Sequence, residues 1–136
     1  MVATKTGTAT VCKLLVNGDW VDSTATEFQD IYNPSTGEII GRTPLGGNAD
    51  VDRAVQAAQK AFLEWKEVPI IERARVMFRF KNLMEQHYEE IAQCVTREHG
   101  KTLPESRASV QRAIEVVEFA CGIPSLMMGE SMENIA

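Results

Sequence analysis

Between Val68 and Gly122 the apolar residues recur at helical spacing, and the stretch bends around a single turn, Glu98-His-Gly-Lys-Thr102. It holds most of the large apolar side chains and the densest charge, so whatever this chain builds must accommodate a helical layer. Pro69 can open the first helix of the stretch. Ile71, Ala74, Met77, Phe78, Lys81 and Met84 then share one face, with Glu72, Arg73, Arg75 and Arg79 on the outer side. Tyr88, Ile91, Ala92 and Val95 continue the pattern after a break near His87, and Gly100 supplies a left-handed stop. A further helix begins about Pro104, with a core face of Val110, Ala113, Ile114, Val117 and Cys121, and closes at Gly122 and Pro124. It also carries a second apolar stripe, Val116, Phe119 and Ile123. A helix apolar on two sides is sandwiched between neighbours.

The residues before this stretch read differently. Residues 1–12 are small and polar and form a tail. Asn17-Gly18 between Leu14-Leu-Val16 and Trp20-Val21 is a hairpin signal, because both residues tolerate positive φ. Phe28–Tyr32 and Glu38–Arg42 read as paired strands around Asn33-Pro-Ser-Thr-Gly37. Residues 13–43 are therefore expected to form a small antiparallel β layer. Gly46-Gly47 leads into a lead-in helix that Asn48 can cap, with Asp50 and Asp52 near its positive end. Its apolar face is Val51, Ala54, Val55, Ala58, Phe62 and Trp65. Helices thus occupy 48–122, and 123–136, with Met127, Met128 and Met132, shows no clear element.

With 136 residues, 44% hydrophobic and 24% charged, the chain has globular composition and room for one ordinary domain. A net charge of −5 argues against nucleic acid or an anionic membrane as main partner, since both demand a basic face. No apolar run approaches the roughly 20 residues that span a bilayer. The first residues lack the apolar core and arginines of a targeting peptide. Cys12, Cys94 and Cys121 are odd in number and widely spaced, which favours free thiols in a reducing compartment. The expected location is the cytoplasm, with the mitochondrial matrix left open.

The residue types that carry chemistry are few. Gly100-Lys-Thr102 invites a phosphate-loop reading, but that motif needs a glycine where Val95 stands, and a helix C-cap accounts for Gly100. His87 and Cys94 share a helical face near His99, without the four convergent, paired ligands of a zinc site. They read as a half-buried cysteine and two surface histidines. None of the three cysteines has the small, glycine-rich setting of an exposed nucleophile, so each is expected to pack. Arg112 is the odd residue: a charge one turn before Val116, in line with the second apolar stripe. It must snorkel, pair with Glu115 or Glu118, or face a ligand.

Several of these segments match a known family. Leu15-Val-Asn-Gly-Asp-Trp-Val21, Asn33-Pro-Ser-Thr-Gly-Glu38, Glu72-Arg-Ala-Arg75 and Glu98-His-Gly-Lys-Thr102 resemble the opening of aldehyde dehydrogenases. Ile114–Gly122 followed by Ser125-Leu-Met-Met-Gly-Glu130 resembles one branch, the CoA-acylating methylmalonate-semialdehyde dehydrogenases. The resemblance covers residues 14–136. It implies the N-terminal part of an α/β fold, short antiparallel strands followed by a helical layer; taken alone, the chain would be α+β and mostly helical. Residues 13–136 would be the first portion of the cofactor-binding domain. It further implies an NAD-dependent oxidation in which a catalytic cysteine attacks a semialdehyde. The acyl group then passes, after loss of carbon dioxide, to CoA. Homo-oligomers are the family's habit. The nucleophile, general base and cofactor-binding residues of such enzymes fall beyond position 136, so this chain alone is expected to be inactive and no catalytic or cofactor-binding residue is assigned within it. In the family, the helix carrying Arg112 lines the substrate tunnel, which implies a substrate-carboxylate role for Arg112. Two other readings stand beside this one: another semialdehyde dehydrogenase that uses water, or a non-catalytic helical interaction module.

Overall fold

Asn17 and Gly18 both take positive φ, 53° and 85°. This two-residue turn folds β1 (Leu14–Val16) back on β2 (Asp19–Val21), pairing Leu14 with Val21 and Val16 with Asp19. The computed structural model describes residues 10–133. The second hairpin joins β3 (Phe28–Tyr32) to β4 (Ile39–Pro44), with an irregularity between Ile31 and Tyr32. Asn33 organises its turn: the side-chain oxygen accepts from the Ser35 amide at 2.9 Å, and the carbonyl accepts from Gly37, whose φ is 75°. The expected single β layer is two separate two-stranded sheets. Of the expected tail, residues 1–9 lie outside the described residues. Thr10 and Cys12 are instead bonded to the backbone of Arg42, at 2.8 Å each.

The chain divides into two compact units. The first takes the residues up to Glu67 together with Arg97–Gly100. Its helix α1 (Asn48–Trp65) begins at the expected residue, but the carbonyl of extended Gly47 accepts from the Asp50 and Val51 amides, so Gly47, not Asn48, is the cap. The apolar face predicted for α1 exists but is uncovered. Val51, Val55, Phe62 and Trp65 are all exposed, and the buried residue of the helix is Asp50. Gly100 holds φ +77°, and a Cβ there would stand 2.8 Å from Pro34 Cγ.

The second unit, Val68–Thr96 with Lys101 onward, is built of helices. They are α2 (Ile70–Gln86), α3 (Tyr88–His99, whose last residues count with the first unit), α4 (Leu103–Cys121) and the single turn α5 (Ile123–Leu126). His87 is the expected break, with φ −103° and ψ 18° between α2 and α3. Ala92, Val110 and Ile114 form the core, packed by Met84, Tyr88, Ile91, Val95 and Leu103. The Tyr88 hydroxyl donates to the Arg107 carbonyl at 2.7 Å, and Thr96 donates to the fully buried Ser106 at 2.9 Å, so these polar groups are satisfied. Four expectations are corrected here. Ile71 and Phe78 are exposed, since their turn angle carries them away from Ala74 and Lys81; Ala113 is exposed at the edge of the α4 core face. Arg73, assigned to the outer side, is partly buried. Residues 123–136, expected to show no clear element, begin with the short helix α5; Pro124 in its first turn is compatible with a helix start, and Gly122 links it to α4.

Candidate functional site

Helix α4 is fixed first at its start. Thr102 and Glu105 close a capping box, and the Glu105 carboxylate accepts from both the Thr102 amide (3.0 Å) and hydroxyl (2.7 Å). The Thr102 hydroxyl, then its amide, hold the Glu105 carboxyl below the usual carboxylate range. Lys101 donates to Ser109, eight residues on, at 3.1 Å. The start of α4 is therefore occupied by its own side chains and Gly100 is spent on the turn against Pro34. These residues do not fit the pyrophosphate of a dinucleotide, which needs free amides at a helix start.

With Ser106, Val110, Ile114, Val117 and Cys121 buried, the opposite side of α4 faces away from the core. That side carries Arg112, Val116 and Phe119, and the last two are 65% and 72% exposed. Glu118, one candidate partner for Arg112, is instead engaged by Lys81 at 3.2 Å. Lys81 bridges Glu85 and Glu118, and these two hydrogen bonds, Glu85 first, raise its pKa. Among the described residues neither Glu115 nor any other carboxylate pairs with Arg112. The guanidinium and its apolar companions are thus presented together, a combination suited to a ligand that is part carboxylate and part hydrocarbon.

The other residue types singled out from sequence are scattered. Cys121 packs in the core and Cys12 is partly buried, whereas Cys94 is exposed, contrary to the half-buried, packing role expected of it. His87 is 3.1 Å from Glu90 on an exposed surface. Among the described residues no group of three histidines, cysteines or carboxylates could hold a metal ion, and no helix is long and apolar enough to cross a membrane. In the first unit an open groove of about 500 Å³ runs between the β1–β2 turn and α1, lined by Asn17, Arg53, Gln56, Lys60 and Glu64. No cysteine, serine, threonine or histidine lines it.

Sequence reasoning missed the role of Asp50, which it credited only with a favourable place near the start of α1. Asp50 is 4% exposed and accepts from the Ser23 hydroxyl, the Thr24 amide (3.2 Å) and Arg53 (3.2 Å). The Ser23 hydrogen bond is the main cause of its lowered pKa; burial opposes it, and Thr24 and the Arg53 charge add to it. The Ser23-Thr24 pair was the available signal, but nothing local ties it to a carboxylate so far along the chain.

The model of the aldehyde dehydrogenase family matches residues 20–136. The chain belongs to the aldehyde dehydrogenase family. It is similar to malonate-semialdehyde dehydrogenase 1 of Geobacillus kaustophilus, with 52% identity over 93% of this chain and 26% of that protein. Among solved structures, methylmalonate-semialdehyde dehydrogenase from Oceanimonas doudoroffii matches with a TM-score of 0.84 and 43% identity, over 95% of this chain and 26% of the other. An NAD-dependent aldehyde dehydrogenase from Sinorhizobium meliloti matches at 0.81 and 30%, over 94% and 26%. The chain therefore spans about a quarter of the length of these aldehyde dehydrogenases, and that quarter is their N-terminal part. The antiparallel hairpins and helices described above are the opening of this dehydrogenase fold.

Proposed function

We propose that this chain is the N-terminal portion of a cytoplasmic, homo-oligomeric, NAD-dependent methylmalonate/malonate-semialdehyde dehydrogenase that delivers its acyl product to CoA. We further propose that Arg112 grips the substrate carboxylate. The observation that carries the reading is the unpaired guanidinium of Arg112 on the exposed Val116–Phe119 face of α4. The names of the Geobacillus and Oceanimonas relatives support the substrate class, because malonate and methylmalonate semialdehydes bear a carboxylate. A planar guanidinium binds a carboxylate through two parallel hydrogen bonds, which orients as well as attracts it. The residues for NAD and CoA belong, in this reading, to the part of the enzyme outside this chain.

The test uses a chimera in which this chain replaces the matched quarter of the Geobacillus enzyme. Arg112→Leu is expected to lower kcat/KM for malonate semialdehyde by about 30-fold to 1000-fold, corresponding to about 2–4 kcal/mol, while propanal oxidation changes little. Equal losses for both substrates, or none, would show that Arg112 does not read the carboxylate. The 136-residue chain alone is expected to produce no NADH from malonate semialdehyde, CoA and NAD; steady production would overturn the assignment of catalysis to residues outside it.

A further inference from the structure

The β1–β2 turn sets side by side two groups that can react with each other. A backbone nitrogen can attack the side-chain carbonyl of an asparagine that precedes it, and the residue supplying the nitrogen decides how closely it can come. Asn17 is the one asparagine of the chain that a glycine follows. Asn33, Asn48, Asn82 and Asn134 precede Pro34, Ala49, Leu83 and Ile135. Gly18 has no Cβ, and the space that one would occupy holds nothing within 4 Å. Pro34 has no N–H to give up. The Leu83 amide lies in the interior of α2, where the helix ladder takes it, and Ala49 is fixed in the first turn of α1.

The turn is open to water and loosely held. Asn17 and Gly18 are both exposed, and the Gly18 amide has no backbone acceptor among the described residues. β1 and β2 pair over three residues each and form a sheet of their own, without a third strand. A two-stranded hairpin is marginal by itself. In the closed turn Asn17 is left-handed, at φ 53°. Ring closure needs the peptide plane between Asn17 and Gly18 to swing toward the Asn17 side chain, and so short a ladder gives way readily.

We propose that Asn17–Gly18 is a self-modification site that releases β1 from β2. The Gly18 nitrogen bonds to Asn17 Cγ and gives up its proton, while the Cγ–Nδ2 bond breaks and that nitrogen leaves with the proton as ammonia. The product is a cyclic imide, a succinimide. Water, the only co-reactant, then adds to one of the two ring carbonyls and breaks its bond to the ring nitrogen. Opening at Cγ gives aspartate, and opening at the Asn17 backbone carbonyl gives isoaspartate. Aspartate keeps the backbone and adds a carboxylate to the groove that Asn17 lines together with Arg53 and Lys60, a setting that suits a negative charge. Isoaspartate routes the chain through the side-chain carbons and puts one extra backbone atom into a two-residue turn. The pairs Leu14–Val21 and Val16–Asp19 then cannot both be kept.

The experiment ages the purified 136-residue chain at mildly alkaline pH and follows its peptides by mass spectrometry, with isoaspartate counted by an isoaspartyl methyltransferase. Conversion at Asn17 is expected to exceed that at Asn48 and Asn82 by about tenfold or more. It is expected to run within about tenfold of the rate in a free peptide of residues 14–21, because the ladder opens readily. Gly18→Ala is expected to slow it by about tenfold or more in chain and peptide alike, which separates crowding at the nitrogen from any change in the turn. Amide exchange at Leu14 and Val21 is expected to rise by about tenfold or more in the separated isoaspartate form. Asn17→Asp, with the charge but the ordinary backbone, is expected to leave that exchange within about twofold. Equal conversion at Asn17 and Asn48 would overturn the proposal. So would conversion slower than in the peptide by more than the stated margin, indifference to Gly18→Ala, or an isoaspartate form that exchanges no faster than the Asn17→Asp protein. None of these readouts involves aldehyde oxidation, so the Arg112 reading stands or falls separately.

Discussion

The two units hold themselves together by opposite means. In the helical unit, α2, α3 and α4 close on Ala92, Val110 and Ile114, and the fully buried Ser106 is hydrogen-bonded to Thr96 within the unit. In the first unit, the two short hairpins and α1 bury little, and the best-enclosed side chain is a carboxylate, Asp50, latched to Ser23 and Thr24. One is fastened by exclusion of water, the other by a few directional bonds. Apolar packing is proportional to area and indifferent to pH, whereas a carboxylate latch depends on its proton. The two units should therefore fail under different stresses.

The largest expected effect is in the helical core. Ile114→Ala removes carbon atoms from the most buried apolar position of α4 and should lower the stability of that unit by about 2–4 kcal/mol, read as a shift in the urea midpoint of helical signal. A loss below about 0.5 kcal/mol would mean that Ile114 is not at a tightly packed centre. Next comes Gly100→Ala. It combines a left-handed backbone with a Cβ that would lie 2.8 Å from Pro34 Cγ. About 1–2 kcal/mol should be lost, detectable as faster amide exchange at Gly37 and Asn33 in the turn beside Pro34. Unchanged exchange there would show that the turn yields freely.

The smallest effect at neutral pH, and the sharpest contrast, belongs to Asp50. Its folded pKa lies below that of the unfolded chain, so its contribution is complete above the ordinary aspartate value of about 3.9 and is lost as pH falls through the depressed folded value. Between pH 5 and pH 2 the Ser23–Thr24 loop should loosen in the wild type, followed by amide exchange at Thr24. Asp50→Asn should start looser and change much less across that window. An acid profile identical in the two proteins would remove the latch from the account.

What could be read from sequence was what local chemistry decides. Asn17-Gly18 demands positive φ wherever it stands, Gly100 stops a helix without help, and the spacing of Val110, Ile114, Val117 and Cys121 sets them on one side whatever covers them. Periodicity says which residues share a face; it does not say which face is met. Hence α1 formed as expected while Phe62 and Trp65 remained exposed, and α4 kept both apolar sides with one uncovered. Asp50 escaped for a related reason: its partners Ser23 and Thr24 lie before the second hairpin, and no periodic signal links them. Arg73 looked like ordinary surface charge, because a buried Nε is a property of packing alone. Arg112 was conspicuous only by standing in an apolar row.

The first unit borrows Arg97–Gly100 from far along the chain. A polypeptide emerges from the ribosome from its N-terminus at a few residues per second, so both hairpins and α1 are exposed before the Gly100 turn that meets Pro34 has been made. Until then α2 and most of α3 pass through the exit tunnel, and their helical turns can form locally, without waiting for a distant strand. The region that is first in sequence therefore waits for Gly100 before it is complete, and nascent chains stalled before position 100 would carry a hairpin pair still lacking its closing turn.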